Sequence, residues 1–438
     1  VFVRSYQDDK HGTKRKFENN IMAKEEIITG LDIGSTTIRI VVGQLNPHDN
    51  KIHVLGAAEH PAEGVSKGTI TSIEDAVSSI SATLEKVERM TGIPVEHVYV
   101  GINGSHITAQ ESHGVIAVSK SDGEIREEDI ERVIEAAQAV ATPPNYEILH
   151  VIPRSFTVDN QKGIKDPVGM TGIRLEVDAQ IIQGLSSQVK NITKCIYRTG
   201  IDINDLVLGV LASAESVLTK KQRDLGVALL NIGGSTTSLL VFEEGDVLHT
   251  AILPVGSSHI TNDIAIGLRT SIDLAEKIKI EYGSALPEEI NKREEINLAE
   301  IDTREEGVVS RRHVAEIIEA RSEEIFKMAD KELQKIDRAG LLPAGVVITG
   351  GGAKLEGLID VAKREFKLPA SLGFPLDLAS TAVDKVNDVN YSTAVGLLYW
   401  GAGLSEKSGA GRSFKMPNFS SAKEVTSKMK QWFKSLIP

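Results

Sequence analysis

The sequence predicts an α/β protein of two related lobes, with a smaller α+β unit inserted in the first. Three observations carry this. Apolar strand-length runs alternate with amphipathic helix-length segments, the texture of helices packed on sheets. The string Leu31-Asp32-Ile33-Gly34-Ser35-Thr36-Thr37-Ile38-Arg39-Ile40-Val41-Val42 reads as a buried strand, a tight hydroxyl-rich turn and a returning strand. Nearly the same string recurs as Leu230-Asn231-Ile232-Gly233-Gly234-Ser235-Thr236-Thr237-Ser238-Leu239-Leu240-Val241, with one extra glycine. Between the two copies, residues 105–184 have a different pattern of strands and one acidic-capped helix.

A strand–turn–strand used twice suggests lobes that present matching turns to one ligand. Glycine lets backbone approach closely, successive N–H groups form an anion-binding nest, and Ser and Thr hydroxyls add donors. Either copy alone reads as an ordinary hairpin. Both together, each with Asp32 or Asn231 closing an apolar run, point to phosphate.

Composition narrows the class. The 438 residues are 41% hydrophobic and 25% charged, ordinary for a globular protein of about three domain-sized units. A formal net charge of -12 argues against a general nucleic-acid binder. The single cysteine, Cys195, excludes an intrachain disulfide framework and reads as a small buried hydrophobe. No apolar run reaches the ~18 residues of a membrane-spanning helix. Residues 1–24 mix charges without an apolar core and are expected to be a disordered leader or a mis-set start.

In order, the first lobe opens at 25–104 with a three-strand meander over 27–59, a helix over 74–90 and a strand over 95–102. The inserted subdomain, 105–184, holds a helix over 127–141 stopped before Pro143-Pro144. Residues 185–224 resume the first lobe with a helix over 186–198, a strand over 206–210 and a helix from about 212. The second lobe begins at 225 with strands over 227–232, 236–242 and 247–253, and a helix over 258–268. Its outer part, 269–340, carries a helix over 271–282, a charged stretch at 287–306 read as solvated surface, and a long helix over 311–336. Residues 341–380 return to the lobe core with a strand over 345–349 that runs into Gly350-Gly351-Gly352-Ala353, and 381–404 close the first lobe with a helix over 391–400.

The C-terminal end changes character. Residues 405–420 are rich in Ser, Gly, Lys, Asn and Pro, a flexible linker by composition. In 421–438, Val425, Met429, Trp432, Phe433, Leu436 and Ile437 fall on one helical face, with Lys430 and Lys434 off it. Seven basic against two acidic residues give 406–438 a charge of +5, leaving -17 for the rest of the -12 chain. Basic charge beside an apolar stripe on an acidic protein reads as an interfacial anchor for anionic lipid. At ~1.5 Å per residue it is ~20 Å long, too short to span a bilayer.

Two phosphate turns, an intervening helix and a downstream strand–GGG–helix make up the nucleotide-binding set of the actin-like ATPase superfamily. Within it, the chain resembles the FtsA family of bacterial cell-division proteins over residues 25–404 and the terminal helix. The family-specific strings are Ile102-Asn103-Gly104-Ser105-His106-Ile107, Ile148-Leu149-His150-Val151-Ile152-Pro153 and Asp166-Pro167-Val168-Gly169-Met170-Thr171-Gly172-Ile173-Arg174-Leu175. The resemblance implies an actin-like two-lobed ATPase fold, with duplicated ribonuclease H-like domains and a relocated small subdomain at 105–184. It implies ATP and Mg²⁺ between the lobes, assembly of copies into a homopolymer, and binding of the FtsZ C-terminal peptide and other divisome proteins. It also implies a peripheral position on the cytoplasmic side of the cell membrane at the division septum.

Carried over by position, Asp32, Gly34, Ser35, Thr36 and Thr37 match the first phosphate turn, with Asp32 reaching the metal through water. Asn231, Gly233, Gly234, Ser235 and Thr236 match the second, and Gly350, Gly351, Gly352 and Ala353 match the adenosine loop. Glu276 and Lys279 match the pair that holds ribose and base. Glu215 lies where relatives place a polar residue near the attacking water; a helix-surface carboxylate is the other reading. The family usually has Asp at the position of Asn231. Asn is neutral and both donates and accepts, so this departure predicts that nucleotide and Mg²⁺ still bind through Asp32 and the backbone nests while hydrolysis is slow at most. Arg321, aided by Arg311 and Arg312, matches the segment that receives the FtsZ peptide; a salt bridge to a neighbouring Glu is the other reading. The competing functions are a metabolic kinase of the same superfamily and an actin-like scaffold of pilus or cell-shape systems. A chaperone ATPase is expected to carry a long peptide-binding domain after residue 404, where this sequence has 34 residues, mostly linker and helix.

Overall fold

The computed structural model describes residues 26–46, 51–119, 122–141, 143–376, 378 and 384–405. The leader, the terminal amphipathic helix and the linker after Ser405 lie outside the described residues.

Strands β1 (Glu26–Ile33), β2 (Thr37–Asn46) and β3 (Lys51–Pro61) form an antiparallel meander whose inward residues, such as Leu31, Ile38 and Ile40, are buried. A small hairpin, β4 (Val65–Ser66) and β5 (Thr69–Ile70), precedes α1 (Ile73–Thr91). Ser72 caps α1 by accepting from the Asp75 N–H, and its buried stripe is Ala76, Ile80, Leu84 and Val87. Strand β6 (His97–Ile102) then pairs parallel to β1.

The insertion follows as β7 (Ile107–Ala117), α2 (Glu127–Ala141), β8 (Tyr146–Val158), β9 (Gln161–Ile164) and β10 (Arg174–Leu185). Its sheet runs β7-β10-β8-β9, and Val133, Ile134, Phe156 and Val177 share a core separate from those of the lobes. The first lobe resumes with α3 (Ser186–Arg198), β11 (Asp202–Leu208) and α4 (Gly209–Val217).

Helix α5 (Lys220–Leu225) leads to the second lobe, β12 (Val227–Ile232), β13 (Thr237–Glu243) and β14 (Asp246–Leu253). Helices α6 (Ser257–Leu268) and α7 (Ile272–Tyr282) come next. The outer part adds β15 (Glu295–Asn297), α8 (Leu298–Ile301), β16 (Val308–Ser310) and α9 (Arg311–Lys335). Strand β17 (Val346–Thr349), α10 (Leu358–Phe366) and β18 (Ala370–Leu372) complete the second lobe, and α11 (Ser392–Ser405) packs back on β1 and α4.

The duplication is topological as well as sequential. The sheets run β11-β6-β1-β2-β3 and β18-β17-β12-β13-β14, so β12 occupies in the second lobe the place of β1 in the first. Both central strands pair antiparallel with the next strand across the hydroxyl-rich turn, and parallel on their other edge. This is the actin-like two-lobed α/β fold, with the small subdomain placed between β6 and α3.

Three local expectations shift. The strand expected at 206–210 ends at Leu208, and α4 starts directly at Gly209. A side chain at 209 would overlap the Asn103 carboxamide, and the fully buried run Gly209–Ala214 reads alike as strand or helix by periodicity. The stretch 287–306 is not simply solvated surface. Ile290, Ile296 and Leu298 are buried, and anchor a β15–β16 hairpin between charges. The closing helix extends five residues beyond its expected end at 400, because Gly401 and Gly403 interrupt the sequence pattern but not the helix.

Candidate functional site

The two repeated turns have the same length. In the first, the Gly34 N–H donates to Thr37 O at 3.2 Å, leaving Ser35-Thr36 at the tip. In the second, the Gly233 N–H donates to Thr236 O at 2.9 Å, leaving Gly234-Ser235. The extra glycine is therefore a replacement of Ser35 by Gly234, not an insertion. Its reason lies across the cleft. A Cβ on Gly234 would sit 2.7 Å from Thr36 Cγ2 and 3.3 Å from Ser258 Oγ, so the tips of the two hairpins meet. Among the described residues no acceptor takes the tip N–H groups of Ser35, Thr36, Gly234 and Ser235. Four free donors on two facing turns suit an anion with several oxygens.

Each turn is braced from behind. Ser35 Oγ accepts the Gly68 N–H at 2.9 Å, and Thr36 O accepts the Ala62 N–H at 3.0 Å. The first residues of α6 grip the second turn: the Ser257 N–H donates to Gly233 O at 2.9 Å and the Ser258 N–H to Gly234 O at 2.7 Å.

Beneath the turns lie the polar ends of the two central strands. Asp32 is buried, and no described residue hydrogen-bonds its carboxylate. Burial pushes its pKa up to about 6, with the Arg39 charge acting in the opposite direction. Asn231 is the reverse case. Its Nδ2 donates to Ser213 Oγ at 2.9 Å and to Thr393 Oγ1 at 3.1 Å, while Ser213 Oγ donates onward to Gly209 O at 2.8 Å. The two strand ends thus differ in kind: Asp32 is an unmet acceptor, and Asn231 is a satisfied donor that joins the second lobe to α4 and α11.

The glycine loop packs on the same strand end. Gly350 has φ 87°, and a side chain there would overlap Asn231 Oδ1 and Ile232 O. A Cβ on Gly351 would lie 3.2 Å from Asn390 Oδ1, a buried acceptor with no partner among the described residues; Ser392 Oγ, two positions on in the chain, is also unpartnered among them. Glu276 and Lys279 sit together on α7, with Lys279 Nζ 2.6 Å from Glu276 Oε2 and 2.9 Å from Thr261 Oγ1, which in turn bonds Glu276. Lys279 also reaches Ser257 O at 3.5 Å, which ties this pair to the second turn.

These residues fit a metal–nucleotide complex. An acceptor-only carboxylate with no donor suits a hydrated divalent cation, the tip N–H groups suit phosphate oxygens, and unpartnered Asn390 and Ser392 beside the glycine loop leave polar capacity for a base or sugar.

Glu215 does not join this group. Ser213 faces Asn231, and two residues on, ~200° around the helix, Glu215 points away and pairs with Arg223 at 3.0 Å. The three arginines of α9 also have partners within the chain. Arg321 forks onto Asp263 at 2.5 and 3.0 Å and reaches Glu324 at 2.5 Å. Arg311 pairs with Glu294 at 2.7 Å, and Arg312 with Glu316 at 3.4 Å. Val425, Met429, Lys430, Trp432, Phe433, Lys434, Leu436 and Ile437 lie outside the described residues. Ser213, Thr393, Asn390 and Arg39 were not foreseen. No spacing links residues this far apart, although a hydroxyl pair opening a buried helix, Ser392-Thr393, is a signal that could have been read.

The family model "Cell division protein FtsA" matches residues 228–396, and the model "SHS2 domain inserted in FTSA" matches residues 104–183. The chain is 38% identical over 410 residues to the cell division protein FtsA of Pseudomonas aeruginosa, covering 93% of this chain and 97% of that one. The chain belongs to the FtsA family of cell-division proteins. The FtsA of Bacillus subtilis is 37% identical over 396 residues, covering 90% and 88% of the two chains. Among solved structures, a PilM–PilN type IV pilus biogenesis complex aligns with TM-score 0.63 at 14% identity, over 86% of this chain and 98% of that one, a likeness of fold. The match to the inserted-domain model coincides with the β7–β10 unit, so the FtsA-family insertion is the separate core seen here.

Proposed function

We propose that this FtsA-family protein binds ATP and Mg²⁺ between its lobes and assembles into a homopolymer on the cytoplasmic face of the cell membrane at the septum. There it tethers FtsZ filaments and recruits other divisome proteins. The observation that carries the nucleotide reading is the meeting of the two hairpin tips, with free N–H donors above an unbonded Asp32. In this reading the tip N–H groups and the Ser and Thr hydroxyls hold the phosphates, Asp32 holds the metal's water, and Gly350–Ala353 with Glu276 and Lys279 hold the nucleoside. The cation supplies charge neutralisation of the phosphates when bound.

Slow hydrolysis at most is part of this reading, supported by Asn231 Nδ2 donating to Ser213 and Thr393 and by Glu215 pairing with Arg223. Membrane attachment rests on the sequence of 421–438, and FtsZ binding on Arg321 with Arg311 and Arg312 on α9.

Titration of the full chain with a fluorescent ATP analogue tests the nucleotide reading. Saturable binding lost with EDTA and in Asp32→Ala supports it; binding unchanged in Asp32→Ala refutes it. Co-sedimentation with anionic liposomes tests the anchor, since deletion of 421–438 is expected to release the protein into the supernatant.

A further inference from the structure

The insertion touches both lobes, and the two contacts differ in how fully their buried polar groups are satisfied. On the first lobe its attachment is apolar. Ile107, Ile152 and Ile182 share one core with Val189, Ile192, Leu206 and Leu208. His150 of β8 completes this side: its Nε2 accepts the Leu208 N–H at 2.9 Å, at the start of α4, and its ring packs edge-on to Trp400 of α11 at 5.7 Å. Separating this surface would expose buried Leu208 and the α4 terminus to water.

The same core continues into the second lobe through Leu240, Phe242 and Val247, with Ile252 of β14 packed against it, and the hydrogen bonds between insertion and second lobe gather in one seam. Gln180 of β10 donates from Nε2 to Thr250 O of β14 at 3.3 Å, with both residues almost fully buried. At the rim, Lys165 donates to Glu244 O at 2.8 Å and pairs with the carboxylates of Asp246 at 2.9 Å and Glu244 at 3.3 Å, in the β13–β14 turn. The buried part is incompletely satisfied. Gln180 Oε1 and Thr250 Oγ1 have no hydrogen-bond partner among the described residues. Each unmet group is costly in the closed arrangement, and water would satisfy both of them on opening.

We propose that the insertion is a latch: it rides rigidly with the first lobe and closes on β14 of the second through the Gln180–Thr250 and Lys165–Glu244/Asp246 seam, which opens and recloses as the lobes move. The hairpin tips at Thr36 and Gly234 and the seam at Thr250 lie on the same sheet of the second lobe, since β13 connects the second turn to β14. Any rotation that parts the tips is therefore transmitted to the seam, and the weakly satisfied contact yields before the attachment to the first lobe.

Hydrogen–deuterium exchange on the full chain tests this without nucleotide, so its outcome is separate from that of the ATP reading. Lys165→Glu is expected to raise exchange of peptides covering 246–253, the edge strand β14, about tenfold, with β10 and α1 unchanged. Adding Glu244→Lys and Asp246→Lys in that background should restore protection. Gly234→Ala, remote from the seam, should raise seam exchange in the same peptides by wedging the tips apart; if it does not fold, Thr36→Leu presses the same contact from the other side. Seam exchange at the wild-type level in Lys165→Glu, no rescue by the charge swap, or an undisturbed seam in the folded tip variant would each overturn the latch.

Discussion

Thr36 at the tip of the first hairpin lies against Gly234 at the tip of the second, so close that a methyl group on residue 234 would come within 2.7 Å of Thr36 Cγ2. The glycine is a matter of space across the cleft, and this makes it testable. Gly234→Ala is expected to destabilise the chain by ~1–3 kcal/mol, the usual range for an overpacked contact. Thr36→Ser removes the opposing methyl and should recover most of that loss. Urea denaturation of both single variants and the double measures the coupling; strictly additive effects would mean that the tips do not press on each other.

Asp32 gives a pH signature. The native state keeps its proton up to about pH 6, whereas the unfolded carboxyl releases it near 3.8. The native form therefore binds the extra proton, and stability falls as pH rises through that window. At ~1.4 kcal/mol per tenfold change in proton affinity, the penalty at neutral pH is ~3 kcal/mol. Asp32→Asn, without Mg²⁺ or nucleotide, is expected to be more stable than the parent at pH 8 and no different at pH 4. Denaturation midpoints at the two pH values decide it.

His150 works in the opposite sense. Burial pushes its pKa down to about 4 from 6.5, with Asp205 opposing, so the unfolded chain takes up the proton first. Its contribution is complete above pH 6.5 and is lost as pH falls toward 4. His150→Gln keeps an acceptor within reach of the Leu208 N–H and cannot be protonated. It should gain ~2 kcal/mol relative to the parent between pH 7 and pH 5. Because Asp32 and His150 oppose one another over much of this range, Asp32→Asn should steepen the acid sensitivity of the chain and His150→Gln should flatten it.

Arg321 is held by Asp263, and the proposed docking of the FtsZ peptide asks it to serve a carboxylate from outside as well. Asp263→Asn loosens that hold. It should tighten binding of a labelled acidic FtsZ C-terminal peptide severalfold, and Arg321→Ala should weaken it about tenfold. Fluorescence anisotropy with both variants is the measurement; if neither moves the affinity, the peptide binds elsewhere.

Most of the architecture was legible because its causes are local. The meander strands, the stripe of α1 and the acidic first turn of α2 follow from side-chain periodicity and capping chemistry within a dozen residues. Where the readings slipped, two local patterns coincided. A buried helix and a buried strand are equally apolar, so periodicity does not mark the switch from β11 to α4 at Gly209. In the charged stretch after Pro287 the buried residues Ile290, Ile296 and Leu298 were too sparse to stand out.

The sequence by itself determined that two hydroxyl-rich hairpins recur on matching sheets, that a separate unit interrupts the first lobe, and that charge and apolar surface part company at the C-terminal end. All of these are written in short-range order. Only the tertiary structure decided what each polar group meets: that Asp32 has no donor among the described residues while Asn231 has two hydroxyls from α4 and α11, that Glu215 turns away toward Arg223, and that Gly234 is small because Thr36 is opposite. Those pairings join residues up to 198 positions apart, between Thr36 and Gly234. Contacts of that reach depend on how whole lobes pack, and no window of neighbouring residues encodes them.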